Sequence, residues 1–379
     1  MLFRSASPEG SGPLKWLGGL YLYKKHQDHT LDLNYGQGAA DMGMVPMAMT
    51  NAADSDIKTY GYAVFGQATY TLFDKLDLTA GLRYEYEKNK LDYASDYLAG
   101  GMVVPGMGSD IRGRKHDDVF LPKAQIAYRW TPDFMTYAGV SRGYRSGGFN
   151  TSFLDVSDLA FDPEYSWNYE IGGHFSCMEG AVRGDFALFY IDCRDQQLTV
   201  FPPGQTTGRM MTNAGRTRSL GAEAAVQISP WRTFDINLAY GYTDARFVRY
   251  ETTVKNDDGD PVRISYKDNR IPYAPQHTLS AGAAWTVPTG VKWLGDLVFQ
   301  AGVRCAGRIW WNEENTLSQP FYALTDASVR FEHARYSLSV WGRNLTDAGY
   351  DVFYFKSIGN EFVQRGRPRT FGITLNINI

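Results

Sequence analysis

The chain ends in a strict alternation of polar and apolar residues, which predicts a strand over residues 366–379. Successive side chains on a strand point to opposite faces, so one face of this strand is apolar and the other is polar. The apolar positions are Phe371, Ile373, Leu375, Ile377 and Ile379, and they alternate with Thr370, Gly372, Thr374, Asn376 and Asn378. A soluble sheet shows the same alternation. How often the alternation recurs along the chain therefore decides whether it indicates a soluble sheet or a membrane barrel.

The two-residue period recurs along almost the whole chain. After Lys75, one face takes Leu76, Leu78, Ala80, Leu82, Tyr84 and Tyr86. Similar alternations follow Phe234 and Leu279. Helical spacing would scatter these residues, so the pattern predicts strands. Long, paired strands of this kind indicate an all-β fold, an antiparallel transmembrane β-barrel whose outside meets lipid and whose inside meets water.

Short and long connections take turns between the predicted strands, as periplasmic turns and extracellular loops do in outer-membrane barrels. The long loops include residues 26–56, 92–116, 251–270 and 354–365. The pattern predicts about fourteen strands, at 14–25, 57–73, 75–91, 117–130, 133–148, 163–178, 180–200, 210–229, 232–250, 271–287, 292–311, 320–332, 335–353 and 366–379.

Composition agrees with a barrel and excludes other classes. Aromatic residues make up 15% of the 379 residues, as expected where rings form girdles at both membrane interfaces. No segment approaches about 18 consecutive apolar residues, so a helical membrane protein is excluded. The formal net charge of −3 provides no electrostatic reason for a nucleic-acid partner.

Ordered sequence matches identify a family resemblance. They include residues 65–88 (FGQATYTLFDKLDLTAGLRYEYEK), 141–150 (SRGYRSGGFN), 213–230 (NAGRTRSLGAEAAVQISP), 269–285 (NRIPYAPQHTLSAGAAW) and 343–351 (RNLTDAGYD). In this order they resemble the C-terminal part of the barrel of TonB-dependent outer-membrane receptors, and they cover nearly everything from Lys15 onward.

The resemblance implies a receptor in the outer membrane of a Gram-negative bacterium that imports a bulky, scarce nutrient, most often a ferric siderophore. In that family a plug fills the lumen and recruits the TonB energy-transducing complex. We expect the plug and about eight strands of a 22-stranded barrel to be absent from this chain. Residues 1–13 are then the remnant of a preceding strand and turn, and residues 14–379 the C-terminal portion of the barrel. We expect such a piece to leave a gap between its terminal strands or to form a strained smaller ring.

Two other functions share the same architecture. One is a diffusion pore without a plug. The other is a barrel enzyme of the outer membrane, which needs convergent acid and base residues at the rim. No GxSxG, HExxH or Gly-rich phosphate loop occurs, and the six histidines are scattered. We therefore predict a transporter without a catalytic site and without a cofactor.

The segment SRGYRSGGFN provides the first candidate ligand residues, Arg142, Tyr144, Arg145 and Asn150. Arginine grips anionic groups through paired N–H donors, and tyrosine stacks on a ligand. The alternative is structural: the segment would tie the end of a strand to its loop, with its glycines easing a bulge. The register does not show which of the two arginines faces inward.

Two further groups are candidates for ligand contact. Trp310 and Trp311 stand beside a long loop and would stack on an aromatic ligand, or belong to an interface girdle. A loop with Met42, Met44, Met47 and Met49, after His26 and His29, offers thioether and imidazole ligands for copper or haem iron. Methionine more often supplies an adaptable apolar surface.

Outer-membrane lipid and lipopolysaccharide are the expected surroundings of such a barrel. Arg365, Arg367 and Arg369 flank the last predicted strand on the outer side. They would bind lipid A phosphates, or form a solvated loop edge.

Overall fold

A computed structural model of the chain consists almost entirely of antiparallel strands. It describes residues 1–379 except 9, 11, 42, 44, 152–157, 201–209, 256–259, 292–294, 358–359 and 378–379, and it describes only the backbone at 214, 254–255, 261 and 356–357. One short helix, α1 (Gln37–Asp41), stands among the strands. Of the described residues, no helical segment combines the length and apolar character that crossing a membrane requires.

The strands follow one another in chain order. They are β1 (Leu2–Ala6), β2 (Leu14–Tyr35), β3 (Met49–Leu72), β4 (Leu76–Ala99), β5 (Met102–Val103), β6 (Ser109–Thr131), β7 (Phe134–Arg145), β8 (Gly148–Phe149), β9 (Ala160–Phe161), β10 (Glu164–Cys177), β11 (Val182–Val200), β12 (Met210–Trp231), β13 (Phe234–Arg249), β14 (Glu251–Lys255), β15 (Pro261–Ser265), β16 (His277–Pro288), β17 (Asp296–Ala306), β18 (Ile309–Trp310), β19 (Ser318–Gln319), β20 (Tyr322–His333), β21 (Tyr336–Arg343), β22 (Asp351–Ser357), β23 (Asn360–Arg365) and β24 (Thr370–Ile377).

One sheet holds all the long strands as a meander. Its order is β1-β2-β3-β4-β6-β7-β10-β11-β12-β13-β16-β17-β20-β21-β24, with β5 beside β4. Each of the predicted strands has its counterpart there, and the prediction of an antiparallel all-β fold is confirmed. The pairing runs from β1 to β24, and the described residues contain no ladder between these two strands.

The outer face of the sheet is apolar and exposed, as the two-residue period predicts. Leu78 and Leu82 on β4, Ile171 on β10 and Leu188 on β11 are 42%, 51%, 61% and 58% exposed. On the opposite face of β4, the hydroxyl of Thr79 lies 2.8 Å from that of Thr69. A soluble sheet would bury such a row of large side chains, whereas lipid covers it in a barrel.

The short connections are tight turns at one edge of the sheet. Phe73 and Asp74 both have positive φ angles, and so do Met178 and Glu179. Two successive residues in this conformation are typical of a type I′ turn, whose twist matches that of paired strands. The predicted short turns at 73–75 and 178–180 are confirmed.

The long connections contain more strand than the sequence predicts. The predicted loops 26–56 and 92–116 are wrong: β2 continues to Tyr35, β3 begins at Met49, β4 reaches Ala99 and β6 begins at Ser109. In these extensions polar residues such as Thr30, Asp54 and Ser55 occupy both faces, so the alternation that marks a lipid-facing strand disappears although the ladder continues. At the other end of the chain, β21 stops at Arg343 and not at residue 353.

A packed hydrophobic core lies at the long-loop end of the sheet. Phe247, Tyr250 and Tyr266 form a buried cluster, and Leu198, Ile264 and Ile271 pack against it. These residues come from the long-loop ends of β11 and β13 and from the hairpin β14–β15 with the segment that follows it. A hydrophobic core therefore holds several loops together on one side of the molecule.

Candidate functional site

A cleft with many aromatic side chains in its walls opens beside this loop core, and we call it the aromatic cleft. Its volume is about 510 Å³. Its lining is provided by several long connections and consists of Gln197, Leu198, Thr199, Val200, Tyr250, Thr252, Tyr266, Ile271, Pro272, Tyr273, Trp311, Asn312, Glu313, Glu314, Phe353, Tyr354 and Phe355. A cleft of this size with mostly apolar walls and a few polar groups has the usual character of a small-molecule site.

Ring contacts build the wall of the aromatic cleft. The ring centroid of Tyr273 lies 5.3 Å from that of Trp311 and 5.8 Å from that of Phe353. The hydroxyl of Tyr273 donates a hydrogen bond of 2.6 Å to the carbonyl of Tyr354. One tyrosine thus joins the loop after β18 to strand β22, and a continuous aromatic surface results.

Asparagine side chains fix the loop that carries Trp311. The Asn312 side-chain oxygen accepts hydrogen bonds from the backbone N–H groups of Thr316 and Leu317, both at 3.1 Å. Asn315, with a φ of 59°, accepts from the N–H of Arg270 at 2.6 Å and donates to its carbonyl at 2.9 Å. These bonds take the place of a ladder and hold the loop against the neighbouring segment.

The polar groups of the aromatic cleft are phenols and carboxylates. The Tyr266 hydroxyl donates a 2.9 Å hydrogen bond to Glu314. Burial, together with a smaller effect of the nearby carboxylates of Glu313 and Glu314, raises the pKa of Tyr250 to about 12, because both disfavour the negatively charged phenolate. Burial and Glu314 raise the pKa of Tyr266 as well. Among the described lining residues there is no lysine or arginine, so the cleft suits a neutral or cationic ligand better than an anionic one.

The structure separates the two predicted tryptophans. Trp311 is 8% exposed and lines the aromatic cleft. Trp310 lies outside the lining, and the guanidinium of Arg308 stands 5.4 Å from its ring centre. Ligand contact by either residue stays a prediction, but only Trp311 belongs to the cleft.

The predicted residues of SRGYRSGGFN lie elsewhere, at the top of β7. Arg142 pairs with Trp167 and Tyr144 with Tyr165, so both have the parity of the outer face, while Arg145 has the opposite parity. The Arg142 guanidinium lies 4.6 Å from the Tyr165 ring centre and donates to the Phe120 carbonyl at 3.3 Å. The arrangement is that of a strand end held by its neighbours.

Asn150 ties a loop hairpin to β12. The residue is buried; its side chain donates to the carbonyls of Asp158 and Met211 at 2.7 and 2.9 Å and accepts from the Met211 N–H at 2.7 Å. Every polar atom of this side chain is engaged within the protein. These contacts favour the structural interpretation of the segment over ligand binding.

The structure describes two of the four methionines in the predicted segment, and these two differ in burial. Met42 and Met44 lie outside the described residues. Met47 is half exposed, whereas Met49 is 3% exposed in β3 and pairs with Tyr35. His26 lies within β2, where its Nε2 atom is 3.1 Å from Asp28 and 2.9 Å from Asp56. The groups beside this imidazole are therefore carboxylates.

The three arginines before the last strand belong to the loop edge. Arg365 forms an ion pair with Asp351 at 3.1 Å. The Arg369 backbone N–H bonds to Asp347 at 2.9 Å, and the Arg367 carbonyl accepts from Asn344 at 3.2 Å. Binding of lipid phosphates by these residues stays a prediction.

Sequence reasoning missed most of the aromatic cleft. Tyr250 precedes the predicted loop 251–270 and Tyr266 lies within it, while Phe353 precedes the predicted loop 354–365 and Tyr354 and Phe355 begin it. Aromatic residues beside long loops are thus a usable signal. Their convergence on one cleft depends on loop packing, which the sequence period does not describe.

A comparison with known proteins decides the family. Residues 5–345 match the family model described as TonB dependent receptor-like, beta-barrel. The chain belongs to the TonB-dependent receptor family. The family and the structural neighbours of this receptor barrel are receptors and transporters.

Individual relatives agree with this assignment. The receptor is 27% identical over 322 residues to the pesticin receptor of Yersinia enterocolitica, a match that covers 83% of this chain and 43% of that protein. It is 27% identical over 261 residues to the metal-pseudopaline receptor of Pseudomonas aeruginosa, covering 68% and 33%. The chain thus spans less than half the length of these relatives.

A solved structure shows the same fold. The ferric yersiniabactin uptake receptor FyuA from Yersinia pestis superposes with a TM-score of 0.79 at 22% identity, over 99% of this chain and 53% of that structure. The similarity supports the barrel architecture of the whole described sheet.

Proposed function

We propose that this receptor barrel provides the translocation wall and the outer ligand-binding surface for import of a metal-chelating siderophore, most often a ferric one, across the outer membrane of a Gram-negative bacterium. The aromatic cleft carries the ligand-binding part of the proposal. It lies on the long-loop side, several loops provide its walls, and its volume suits a small chelate. The names of the relatives support siderophore import in general.

The chemistry of the cleft narrows the ligand class. Aromatic walls stack on planar groups of a ligand, and the carboxylates of Glu313 and Glu314 disfavour negative charge nearby. We therefore expect a neutral or cationic chelate with aromatic or apolar parts. A tris-catecholate or citrate complex, which is strongly anionic, fits these walls less well.

The mechanism that we propose follows the family resemblance. The loops capture the chelate at the aromatic cleft, and the plug found in the family then rearranges within the lumen when the TonB complex acts on it. The barrel supplies the wall of the passage and part of the binding site. It performs no bond chemistry on its cargo.

The test compares adjacent tryptophans. Ferric yersiniabactin, ferrioxamine, a ferric tris-catecholate and ferric citrate are titrated against the receptor in outer membranes. We expect one of the first two to bind, and Trp311→Ala to weaken that binding about tenfold because the stacking surface is lost. Trp310→Ala, outside the lining, is the matched control.

Two results would contradict the proposal. Equal affinity in Trp311→Ala and in the unchanged receptor would remove the aromatic cleft from the binding site. Unsaturable flux of small solutes, without binding of any chelate, would favour the diffusion pore.

A further inference from the structure

A band of basic side chains crosses the outer face of β2, β3, β4 and β6. Register pairs Lys24 with Tyr60, Tyr60 with Lys88 and Lys88 with His116. The next row pairs His26, Lys58, Lys90 and Arg114 in the same way. We call this group of side chains the basic belt; its members are Lys24, His26, Lys58, Lys88, Lys90, Arg114 and His116.

The basic belt stands at the edge of the apolar band. On β4 the outward positions from Leu76 to Tyr86 are apolar or aromatic, and Lys88 is the next outward residue. These eleven residues rise roughly 33 Å along the strand. Tilted by about 40°, they span about 25 Å of height, which is the usual apolar band of an outer-membrane barrel. The belt therefore lies where the hydrocarbon ends on the long-loop side.

Aromatic rings hold part of the belt in place. The ammonium groups of Lys24 and Lys90 stand 5.5 and 6.0 Å from the ring centre of Tyr60. The ring centres of Tyr62 and Tyr86 are 5.4 Å apart just below. This girdle orients the lysines at the interface, where a ring meets both lipid and water.

Most of the positive charge of the belt is not neutralised. Lys58 forms an ion pair with Asp56 at 2.6 Å, but no ion pair of Lys24, Lys88, Lys90 or Arg114 is found in the described part of the chain. Some arginines elsewhere on the sheet are paired: Arg216 lies 2.5 Å from Asp192, and Arg246 lies 2.9 Å from Asp244. The belt differs from these because it places four basic side chains, with no ion pair among the described residues, on three of four adjacent strands.

An acidic row borders the basic belt on its far side. Asp28, Asp56 and Asp92 are direct neighbours across three strands, and Asp54 and Asp110 lie one row further out. Phosphate is attracted by the belt and repelled by this row. The two rows together define the depth at which an anionic group is bound.

We propose that the basic belt binds the phosphate groups of lipid A, the phosphorylated glycolipid of the outer leaflet. Its phosphates lie at the outer edge of the hydrocarbon, at the height of the belt. One head group carrying two phosphates contacts several of the unpaired cations, and its acyl chains cover the apolar side chains below. Phosphatidylglycerol, which has one phosphate, binds more weakly.

The experiment removes the unpaired charges of the belt. The receptor is purified from outer membranes in detergent, stripped of lipid and titrated with diphosphoryl lipid A, its dephosphorylated form and phosphatidylglycerol, with bound lipids counted by native mass spectrometry. The belt variant is K24Q/K88Q/K90Q/R114Q. We expect it to bind diphosphoryl lipid A about tenfold or more weakly than the unchanged receptor, and dephosphorylated lipid A equally.

A control with the same net charge separates local from general electrostatics. It replaces four basic residues outside the belt, in the variant K25Q/R183Q/K267Q/R335Q. We expect its affinity to stay within about twofold of the unchanged receptor, because these side chains lie on the inner face, on the loops or at the short-turn edge. Heat-dependent migration on gels confirms that both variants are folded.

Three outcomes would overturn the proposal. They are unchanged affinity of the belt variant, an equal loss in the control, and binding of phosphatidylglycerol as tight as that of diphosphoryl lipid A. Loss of affinity in R365Q/R367Q/R369Q without loss in the belt variant would move the lipid site to the last loop.

Discussion

The two ends of the sheet satisfy the backbone hydrogen bonds of their long-loop segments in different ways. Strands β2, β3 and β4 have 22, 24 and 24 residues, whereas β20, β21 and β24 have 12, 8 and 8. The long strands continue past the lipid as hairpins whose backbone groups pair with each other. On the other side the chain leaves the sheet early, and Asn312, Asn315 and Asn344 satisfy the loop backbone instead.

This difference between regular strands and asparagine-held loops indicates which kind of site each region forms. A regular ladder presents a repeating surface, as in the rows of the basic belt. Loops held by asparagine side chains bring residues of distant segments together, as in the aromatic cleft. The long strands β2–β4 therefore provide a lipid-facing surface, and the loops held by asparagine side chains provide a concave pocket.

The largest expected effect concerns the apolar, lipid-facing band that crosses the outer face of the sheet. Leu82 is exposed near the middle of the apolar span of β4, so Leu82→Arg should cost about 2–4 kcal/mol of folding free energy in a bilayer. Thr79→Arg, on the inner face, should cost much less. Folding titrations in liposomes measure both. Equal losses would mean that the outer face is assigned wrongly.

The next effect concerns close packing in the wall. A Cβ atom at Gly172 would stand 2.5 Å from the Phe186 carbonyl oxygen and 2.7 Å from the Tyr137 ring, so Gly172→Ala should cost about 1–3 kcal/mol. At Gly282 the nearest atom is 3.7 Å away. Gly282→Ala should stay within about 0.5 kcal/mol. The same folding titrations compare the two variants, and a similar cost for both would show that the wall is not closely packed at Gly172.

Sequence reasoning succeeds where the two faces of a strand meet different solvents. From Leu76 to Tyr86 the alternation predicts the strand and its orientation, and the exposed leucines confirm it. Between His26 and Asp56 polar residues occupy both faces, so the alternation disappears and the sequence predicts a loop where the structure has a ladder. The same limit applies wherever a strand outgrows the membrane.

Register and loop sites need three-dimensional information. The ladder between β6 and β7 ends at Lys123 and Ser141, next to Pro122, which has no N–H to donate. The orientation of Arg142 and Arg145 depends on pairing with β10, which the local sequence does not show. The sequence predicts Trp311 as a candidate, but its partners Tyr273 and Phe353 are distant in sequence.

A smaller effect tests the loops that are held by asparagine side chains. Asn315→Ala removes two hydrogen bonds to Arg270, so opening of the loops around Arg270 and Trp311 should become easier by about 1–2 kcal/mol. Hydrogen exchange measures this opening, and exchange in β2–β4 should not change. Asn315→Gly tolerates the positive φ and loses only the side-chain bonds, so a smaller effect in this variant would assign the remainder to backbone conformation. Unchanged exchange in both would contradict the role of Asn315.

The smallest effect appears only at alkaline pH and reports on the loop core. Burial raises the pKa of Tyr250 to about 12, whereas an unfolded tyrosine ionises near pH 10. Because the folded state disfavours the phenolate, the stability contributed by the neutral phenol is complete below about pH 10 and decreases as the pH rises towards 12. The tyrosinate absorbance of the receptor minus that of Tyr250→Phe should therefore titrate near pH 12 when folded and near pH 10 in denaturant. If this absorbance difference titrates near pH 10 in both states, the cluster of Phe247, Tyr250 and Tyr266 is open to water. The contrast between the long strands β2–β4 and the asparagine-held loops would then rest on hydrogen bonds alone.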